Sequence, residues 1–423
     1  MARGRERRPA RLNAAPLSLC VESVGAGGDG IALHDGVRHF VPLALPGETV
    51  RAMPVLRSAE GVRCRLESVE TPSPRRVAPF CPAFGRCGGC AFQHWEAADL
   101  AAWKRTRLLA ALSHRGFADA PVAETLSCPA RTRRRATLAL KGKKLGFREE
   151  ASHAVAAIDA CPVLLPQLSA LIAPLRAVLA PLTADAAVAL AWTDSGADVL
   201  VRCADEPGWE GREALAAFAR AHDLARLAWD SGFGAAPLAV ERPPAMIFGG
   251  VSVAFPDAAF LQPSAEGEAA LRDAVLAATE GVSALADLFC GLGTFALPLA
   301  ARGARVLALD ADGAAVAALA AAAKAAPGLA VAARDLFREP LSAAEMRGLD
   351  AVVFDPPRAG AQVQARAIAA SAVPLAVAVS CNPASFARDA RILADGGFRL
   401  VSALPVDQFP LSPHLEVVAV FRR

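Results

Sequence analysis

Four groups of residues in this 423-residue chain have the types and spacing to do chemistry. The first is Cys381, in LAVAVSCNPASFARD, which follows an apolar strand-like run and so stands at the edge where open α/β sheets bind ligands. A thiol at that edge is positioned as a nucleophile rather than as core filling. The second is Asp355, in LDAVVFDPPRAG, an acid at the end of another apolar run and followed by Pro356, Pro357 and Arg358. The third is Ala284–Asp310, ALADLFCGLGTFALPLAARGARVLALD, which reads as strand, glycine turn, helix, strand and acid, a nucleotide-cofactor half-site. Gly291 and Gly293 let the backbone approach a ligand at the N-terminus of the next helix. Gly291-x-Gly293-x-x-Ala296 also matches the dinucleotide fingerprint, so a dehydrogenase remains open on this stretch alone. The fourth is Cys81-x5-Cys87-Gly-Gly-Cys90, three soft ligands within ten residues. Its fourth ligand is Cys161 or Cys128, both followed by Pro, and the spacing admits structural zinc as well as a [4Fe–4S] cluster.

Two more acids end apolar runs. Asp310 is placed to accept from ribose hydroxyls, and Asp335, in AARDLF, to reach an adenine amino group. For each, capping a helix N-terminus is the structural alternative.

The elements that must position these groups fall into four segments. Residues 1–14 form a basic tail with Arg3, Arg5, Arg7, Arg8 and Arg11, read as solvated or as an RNA-contacting arm. Residues 15–72 alternate in short runs broken by GAGGDG, HDG and LPGE, the pattern of a small β-barrel of about five strands. Residues 73–250 carry the cysteines, a helix over Trp95–Leu112 with a basic face at Lys104, Arg105 and Arg107, and a mixed α+β pattern. Within them RTRRRATLALKGKKLGFRE reads as a hairpin turning at Lys141–Lys144. Arg131, Arg133, Arg134, Arg135, Lys141, Lys143, Lys144 and Arg148 make it a phosphate-binding face or an ordinary solvated hairpin. Residues 251–423 form an α/β domain with the strand ends described above.

With 45 Lys+Arg against 42 Asp+Glu, net charge argues neither for nor against nucleic acid, so a case for RNA must come from local patches. Ten cysteines in a long chain without a secretory h-region point to metal or catalytic use rather than a disulfide framework. No run of about 18 apolar residues occurs, so no membrane span is expected, and the chain reads as cytoplasmic.

Together DLFCGLGTF, DPPRAG, VSCNPASFARD and HLEVV resemble the S-adenosylmethionine-dependent uracil-C5 RNA methyltransferases. The resemblance runs nearly the whole chain, since G-x-G-G-D-G-I-A and F-V-P-L-A-L-P-G-E-T-V look like a TRAM domain and CxxxxxCGGC follows in the right order. It implies a C-terminal Rossmann-like class I methyltransferase domain behind a TRAM/OB-like β-barrel and a central α+β domain. The cysteine-bearing members look like the 23S rRNA (uracil-5-) methyltransferases, with tRNA as the alternative substrate and a monomer expected. The resemblance also implies [4Fe–4S] rather than zinc, held by Cys81, Cys87, Cys90 and Cys161.

Carried over by position, Gln262, Phe289, Thr294, Asp310, Asp335 and Asp355 would surround S-adenosylmethionine, with Cys381 as nucleophile and Glu416 as base. Glu416 stands just before the last apolar strand, ordinarily a solvated edge position, and its role comes from the resemblance alone. The chain departs from the family pattern at Ser264 and Thr294, where Asn is typical, and at Asp310, where Glu is common. The chemistry explains the residue types: a thiolate adding at uracil C6 makes C5 nucleophilic, and a base must then remove the C5 proton. A cytosine-C5 enzyme would carry Cys after the Pro of the Asp-Pro-Pro motif, and an amino-methylating enzyme an aromatic residue, where this chain has Arg358. A non-enzymatic RNA-binding protein would not need Cys381 and Glu416, and a dehydrogenase leaves Cys381 unexplained.

Overall fold

The computed structural model describes residues 10–12, 14–150 and 152–423. It divides into two compact units, one ending at Trp103 and taking in Leu411–Pro413, the other formed by Lys104–Pro410 with His414–Arg423.

In the first unit, Leu17–Cys20, Ser23–Val24, Gly30–His34, Val37–Val41, Thr49–Arg57 and Val62–Thr71 join Ala10–Arg11 in one seven-stranded sheet, where the sequence pattern predicts about five strands. Alternation does the work expected of it: Thr49–Arg57 buries Val50, Ala52 and Pro54 and turns the residues between them outward or part-way. Leu19, Val21, Ala32, Val41 and Val62 complete that core. Ala10 and Arg11 pair with Arg57 and Leu56, so strand pairing begins inside the segment read as a tail. Arg3, Arg5, Arg7 and Arg8 lie outside the described residues. Cys81, Cys87 and Cys90 follow in a segment of turns, each half-buried, with the Cys81 amide donating to Gln93 Oε1 at 3.0 Å.

The helix spans Ala97–Ser113 and buries Leu100, Lys104, Leu108 and Leu112 at four-residue spacing. Lys104 therefore belongs to the buried stripe and not to the basic face expected for it. Its Nζ lies 2.6 Å from Asp407 Oδ1 and donates to the Phe409 carbonyl at 2.8 Å.

The central sheet of the second unit runs in the order Val155–Ala157, Lys144–Arg148, Arg135–Lys141, Asp185–Thr193, Gly196–Arg202, Leu224–Asp230, Ala235–Val240. Only Gly196–Arg202 and Leu224–Asp230 are parallel, joined through the helix Trp209–Ala221.

The C-terminal domain is Rossmann-like. Its strands are β1 (Ala284–Leu288), β2 (Arg305–Asp310), β3 (Leu329–Ala333), β4 (Ala351–Phe354), β5 (Leu375–Ser380), β6 (Arg399–Asp407) and β7 (Glu416–Arg422). They lie in the order β3-β2-β1-β4-β5-β7-β6, with β1 to β5 parallel and β7 antiparallel to both neighbours. Every residue of β1, β4 and β5 is buried, as expected of parallel strands covered on both faces. Val353 and Val377 point into one core and Val352 and Ala376 into the other. The helices are α1 (Ala265–Ala278), α2 (Ala296–Ala301), α3 (Gly313–Ala322), α4 (Gln362–Ala370) and α5 (Pro383–Asp395). Ser264 caps α1 through the Gly267 amide, which a serine oxygen does as readily as an asparagine oxygen. No helix among the described residues is long and apolar enough to cross a membrane.

Candidate active site

The strand topology brings the site together. The first five strands end at one edge of the sheet, and antiparallel β7 begins there, because Ser380 pairs with Val417. Cys381, one residue beyond β5, and Glu416, the first residue of β7, thus face each other across neighbouring strands.

The glycine loop sits at the same edge. Phe289 holds φ +63°, a strained conformation for a bulky residue, while its amide donates to the Leu309 carbonyl at 2.8 Å. Gly291, at φ +51°, donates its amide to Asp310 Oδ2 at 2.8 Å, and Asp310 Oδ1 accepts from the Asp312 amide at 2.8 Å. Asp310 therefore orients the loop, and α3 is capped by Asp312 instead. A β-carbon on Gly293 would meet Leu319 Cδ1 at 2.6 Å, whereas one on Gly291 would meet nothing within 4 Å. The backbone at Gly291 faces open space. Thr294 is half-buried at the start of the turn into α2.

Four carboxyls share this edge: Asp287, Asp310, Asp355 and Glu416. Asp287 is wholly buried, with the Ala296 amide beside it but neither oxygen in a hydrogen bond of good geometry. Burial, then the charges of Asp355 and Asp310, hold its pKa well above the ordinary carboxyl value. Burial and Asp310 push Asp355 up to about 7. Gln262 Nε2 donates to Asp355 Oδ2 at a long 3.4 Å, and Gln408 Nε2 donates to Gln262 Oε1 at 2.8 Å.

Cys381 is half-buried, and burial followed by the charges of Glu416 and Asp355 pushes its thiol up to about 11, with Arg358 opposing. Burial and Asp355 hold Glu416 well above its ordinary value, with Arg135 opposing. In the free protein the surroundings of both groups thus weigh against their charged forms. The loop after β4 is stapled to α5: the Arg358 carbonyl accepts from Asn382 Nδ2 and Ser385 Oγ, both at 3.1 Å, and the Ala361 amide donates to Asp389 Oδ2 at 2.7 Å.

Two arginines expected on a phosphate-binding face are turned inward. Arg134 is buried, pairs with Glu268 and donates to the Gln262 carbonyl at 3.0 Å. Arg135 stacks on the Phe260 ring at 4.6 Å from its centroid, and burial with its arginine neighbours lowers its pKa to about 10. A charge within the site cannot also serve a solvated face. Lys141 does pair at the surface, with Asp185.

Asp335 is drawn into its own turn. Its Oδ1 accepts from the amides of Phe337 at 3.0 Å and Arg338 at 3.4 Å, in a turn that no helix follows, so it caps a turn and not a helix. Cys128 is buried in the apolar core, whereas Cys161 is half-buried with its amide donated to Ser169 Oγ at 2.9 Å. No group of three or more His, Cys, Asp or Glu side chains is assembled to hold a metal ion among the described residues. Gln408, Phe260 and Phe337 escaped sequence reasoning. Gln408 directly follows Asp407, and DQFP carries no periodic signal that marks it.

The model of the tRNA (Uracil-5-)-methyltransferase family matches residues 250–423. An uncharacterized RNA methyltransferase of Caulobacter vibrioides is 40% identical over 424 residues, covering 96% of this chain and 99% of that protein. A 23S rRNA (uracil(1939)-C(5))-methyltransferase of Alkalilimnicola ehrlichii is 35% identical over 454 residues, covering 99% of each. The crystal structure of Pyrococcus abyssi tRNA (uracil-54, C5)-methyltransferase in complex with S-adenosyl-L-homocysteine is similar at a TM-score of 0.74 and 23% identity, over 96% of this chain and 100% of that one, which speaks for the fold. With relatives of this similarity along its whole length, the chain belongs to the family of S-adenosylmethionine-dependent RNA (uracil-5-)-methyltransferases.

Proposed function

We propose that this enzyme methylates C5 of a uridine in 23S rRNA through a covalent bond between Cys381 and uracil C6. The observation that carries the reading is the register that sets Cys381 and Glu416 opposite each other at the ligand-binding edge of the sheet. Having lost its proton, Cys381 adds to C6 as the thiolate, the resulting enolate carbon C5 takes the methyl group, and Glu416 as the carboxylate takes the C5 proton so that the S–C6 bond breaks and the thiolate is returned. Bound S-adenosylmethionine supplies the electrophilic methyl. Phe289, the open backbone at Gly291, Asp310, Thr294 and the Gln262–Asp355 pair hold it, and Asp335 acts in the same site. A cationic ligand beside Asp355 would favour the charged carboxylate that burial and Asp310 oppose in the free protein.

The target base must leave its stack to expose C6, which costs least in single-stranded or looped RNA. The 23S assignment is supported by the rRNA-directed relative at 35% identity over the whole chain. Its test is the 5-methyluridine content of rRNA from cells lacking the protein: loss at one 23S position is expected, and unchanged 23S rRNA with loss from tRNA would replace the assignment by the tRNA one.

Residues 15–72 serve in this reading as the TRAM domain, 73–250 as the central domain and 251–423 as the methyltransferase domain of a cytoplasmic monomer. Cys81, Cys87, Cys90 and Cys161 hold a [4Fe–4S] cluster. Their chemistry suits it: four half-buried thiols, while Cys128, the other remote thiol, is committed to an apolar core. The reading rests on that donor set and on the motif.

A further inference from the structure

One buried ion pair of the central sheet has no part in the chemistry above, yet it reaches toward the catalytic edge. Asp198 and Arg226 stand opposite each other on the two parallel strands, brought into line by a register shift just before Asp198. Arg226 Nε donates to Asp198 Oδ1 at 2.7 Å and Nη2 to Asp198 Oδ2 at 2.9 Å, a two-pronged pair in which Asp198 is buried. The rest of the guanidinium leaves the sheet. Nη1 lies 2.7 Å from Asp257 Oδ1, and Nη2 also donates to the Phe255 carbonyl at a long 3.4 Å. A buried pair of this kind is weak support for stability, since apolar residues of the same volume hold a core as well. What the rigid fork adds is position.

The atoms it positions belong to residues 255–263. Both ends of that segment are anchored, the Phe255 amide donating to the Pro244 carbonyl and the Pro263 carbonyl accepting from the Arg134 amide, each at 2.8 Å. Between them Ala258 holds φ +53°, a left-handed conformation that an alanine keeps only where its surroundings impose it. Past this strained turn comes Phe260, 59% exposed with the Arg135 guanidinium over its ring, then Leu261 and Gln262, both buried. Gln262 meets Asp355, so the segment ends at the catalytic edge.

We propose that Arg226, held by Asp198, is a positioning residue for methyl transfer: it pins Asp257, and with it the strained turn at Ala258 that sets Phe260 where the RNA base enters. An exposed ring on a fixed turn is a surface on which an unstacked base can lie. The central sheet thereby acts on the reaction without touching substrate. This inference rests on the reading of the edge as the place where a uridine is methylated.

The test is steady-state methylation of unmodified 23S rRNA and tRNA transcripts by the full-length protein. Wild type must methylate one of them; methylation of neither would sink the functional reading, and this inference with it. Asp257→Ala frees the turn while leaving Arg226 paired with Asp198, so kcat/KM for the methylated transcript should fall about tenfold, as a small displacement away from the chemistry can cause. The melting temperature should stay put because the Asp257 side chain is 37% exposed. KM for S-adenosylmethionine should also hold, since Gln408 secures Gln262 separately. Asp257→Asn still offers an oxygen to Arg226 Nη1 and should restore most of the rate. In a Phe260→Ala background, Asp257→Ala should add less than about twofold. An unchanged kcat/KM in Asp257→Ala, full additivity with Phe260→Ala, or a melting temperature that falls in step with the rate overturns the proposal. Arg226→Lys, which keeps a charge beside Asp198 but not the fork, serves if the alanine variant folds poorly, and it should show the same loss, masked in the same way by Phe260→Ala.

Discussion

The resting state of Cys381 makes a sharp prediction, because a nucleophilic thiol is ordinarily expected to have a lowered pKa. Here burial and two acids raise it from 9.0 to about 11. At pH 8 a thiol at 9.0 is about one-tenth ionised, while one at about 11 is ionised to roughly one part in a thousand, a difference of about 100-fold in reactive form. Iodoacetamide alkylation of the free protein, followed by mass spectrometry of the Cys381 peptide, should therefore rise about tenfold per pH unit from 6 to 9.5 without levelling. Small-molecule thiols begin to level near 9 over the same range. Asp355→Asn and Glu416→Gln should each lower the apparent midpoint, since each removes a charge that opposes the thiolate. Restricted access of the reagent to the sulfur would slow alkylation at every pH without moving its midpoint, so the shape of the profile, not its height, decides. A plateau below pH 9 in wild type, or no movement in either variant, would refute this account of the site.

Glu416→Gln should leave addition at C6 intact but block loss of the C5 proton, lowering turnover by about 10²- to 10⁴-fold and trapping methylated RNA on Cys381 as a slow band in denaturing gels. Gly291→Ala should cost only about 1–2 kcal/mol of stability from its left-handed backbone yet abolish measurable S-adenosyl-L-homocysteine binding, whereas Gly293→Ala adds a clash with Leu319 and should be the less stable of the two in urea. Asp407→Asn, which strands the buried Lys104 ammonium, should cost about 3–5 kcal/mol, and the pair replaced together by Met and Leu should recover most of that. Lys104 is lowered to about 8 in the fold, so its charge weighs against folding below pH 8 and the penalty is relieved as pH rises from 8 toward 10.5; deleting the pair should flatten that rise in stability. Anaerobically purified protein should carry iron and a broad visible absorbance band that Cys161→Ser removes and Cys128→Ser leaves, while a colourless, zinc-loaded protein would defeat the cluster reading.

The order of elements and the strand ends of the C-terminal domain were legible in the sequence. Parallel strands buried on both faces are continuous apolar runs, and an acid or thiol closing such a run, as at Asp310, Asp355 and Cys381, marks the edge without further information. The glycine loop was legible because Gly291 and Gly293 take backbone conformations that few other residues tolerate. Which charges would be solvated was not legible. Arg134 meets the Gln262 carbonyl 128 positions away, and Lys104 meets Phe409 across 305, so an Arg or Lys run reads as a surface patch until its distant partner is in place. Nor could sequence pair Cys381 with Glu416, since their opposition follows from β7 inserting antiparallel beside β5. Local pattern determines which residues end strands. Only the long-range register decides which strand ends meet, and with them whether an acid caps its own turn, as Asp335 does, or faces a thiol, as Glu416 does.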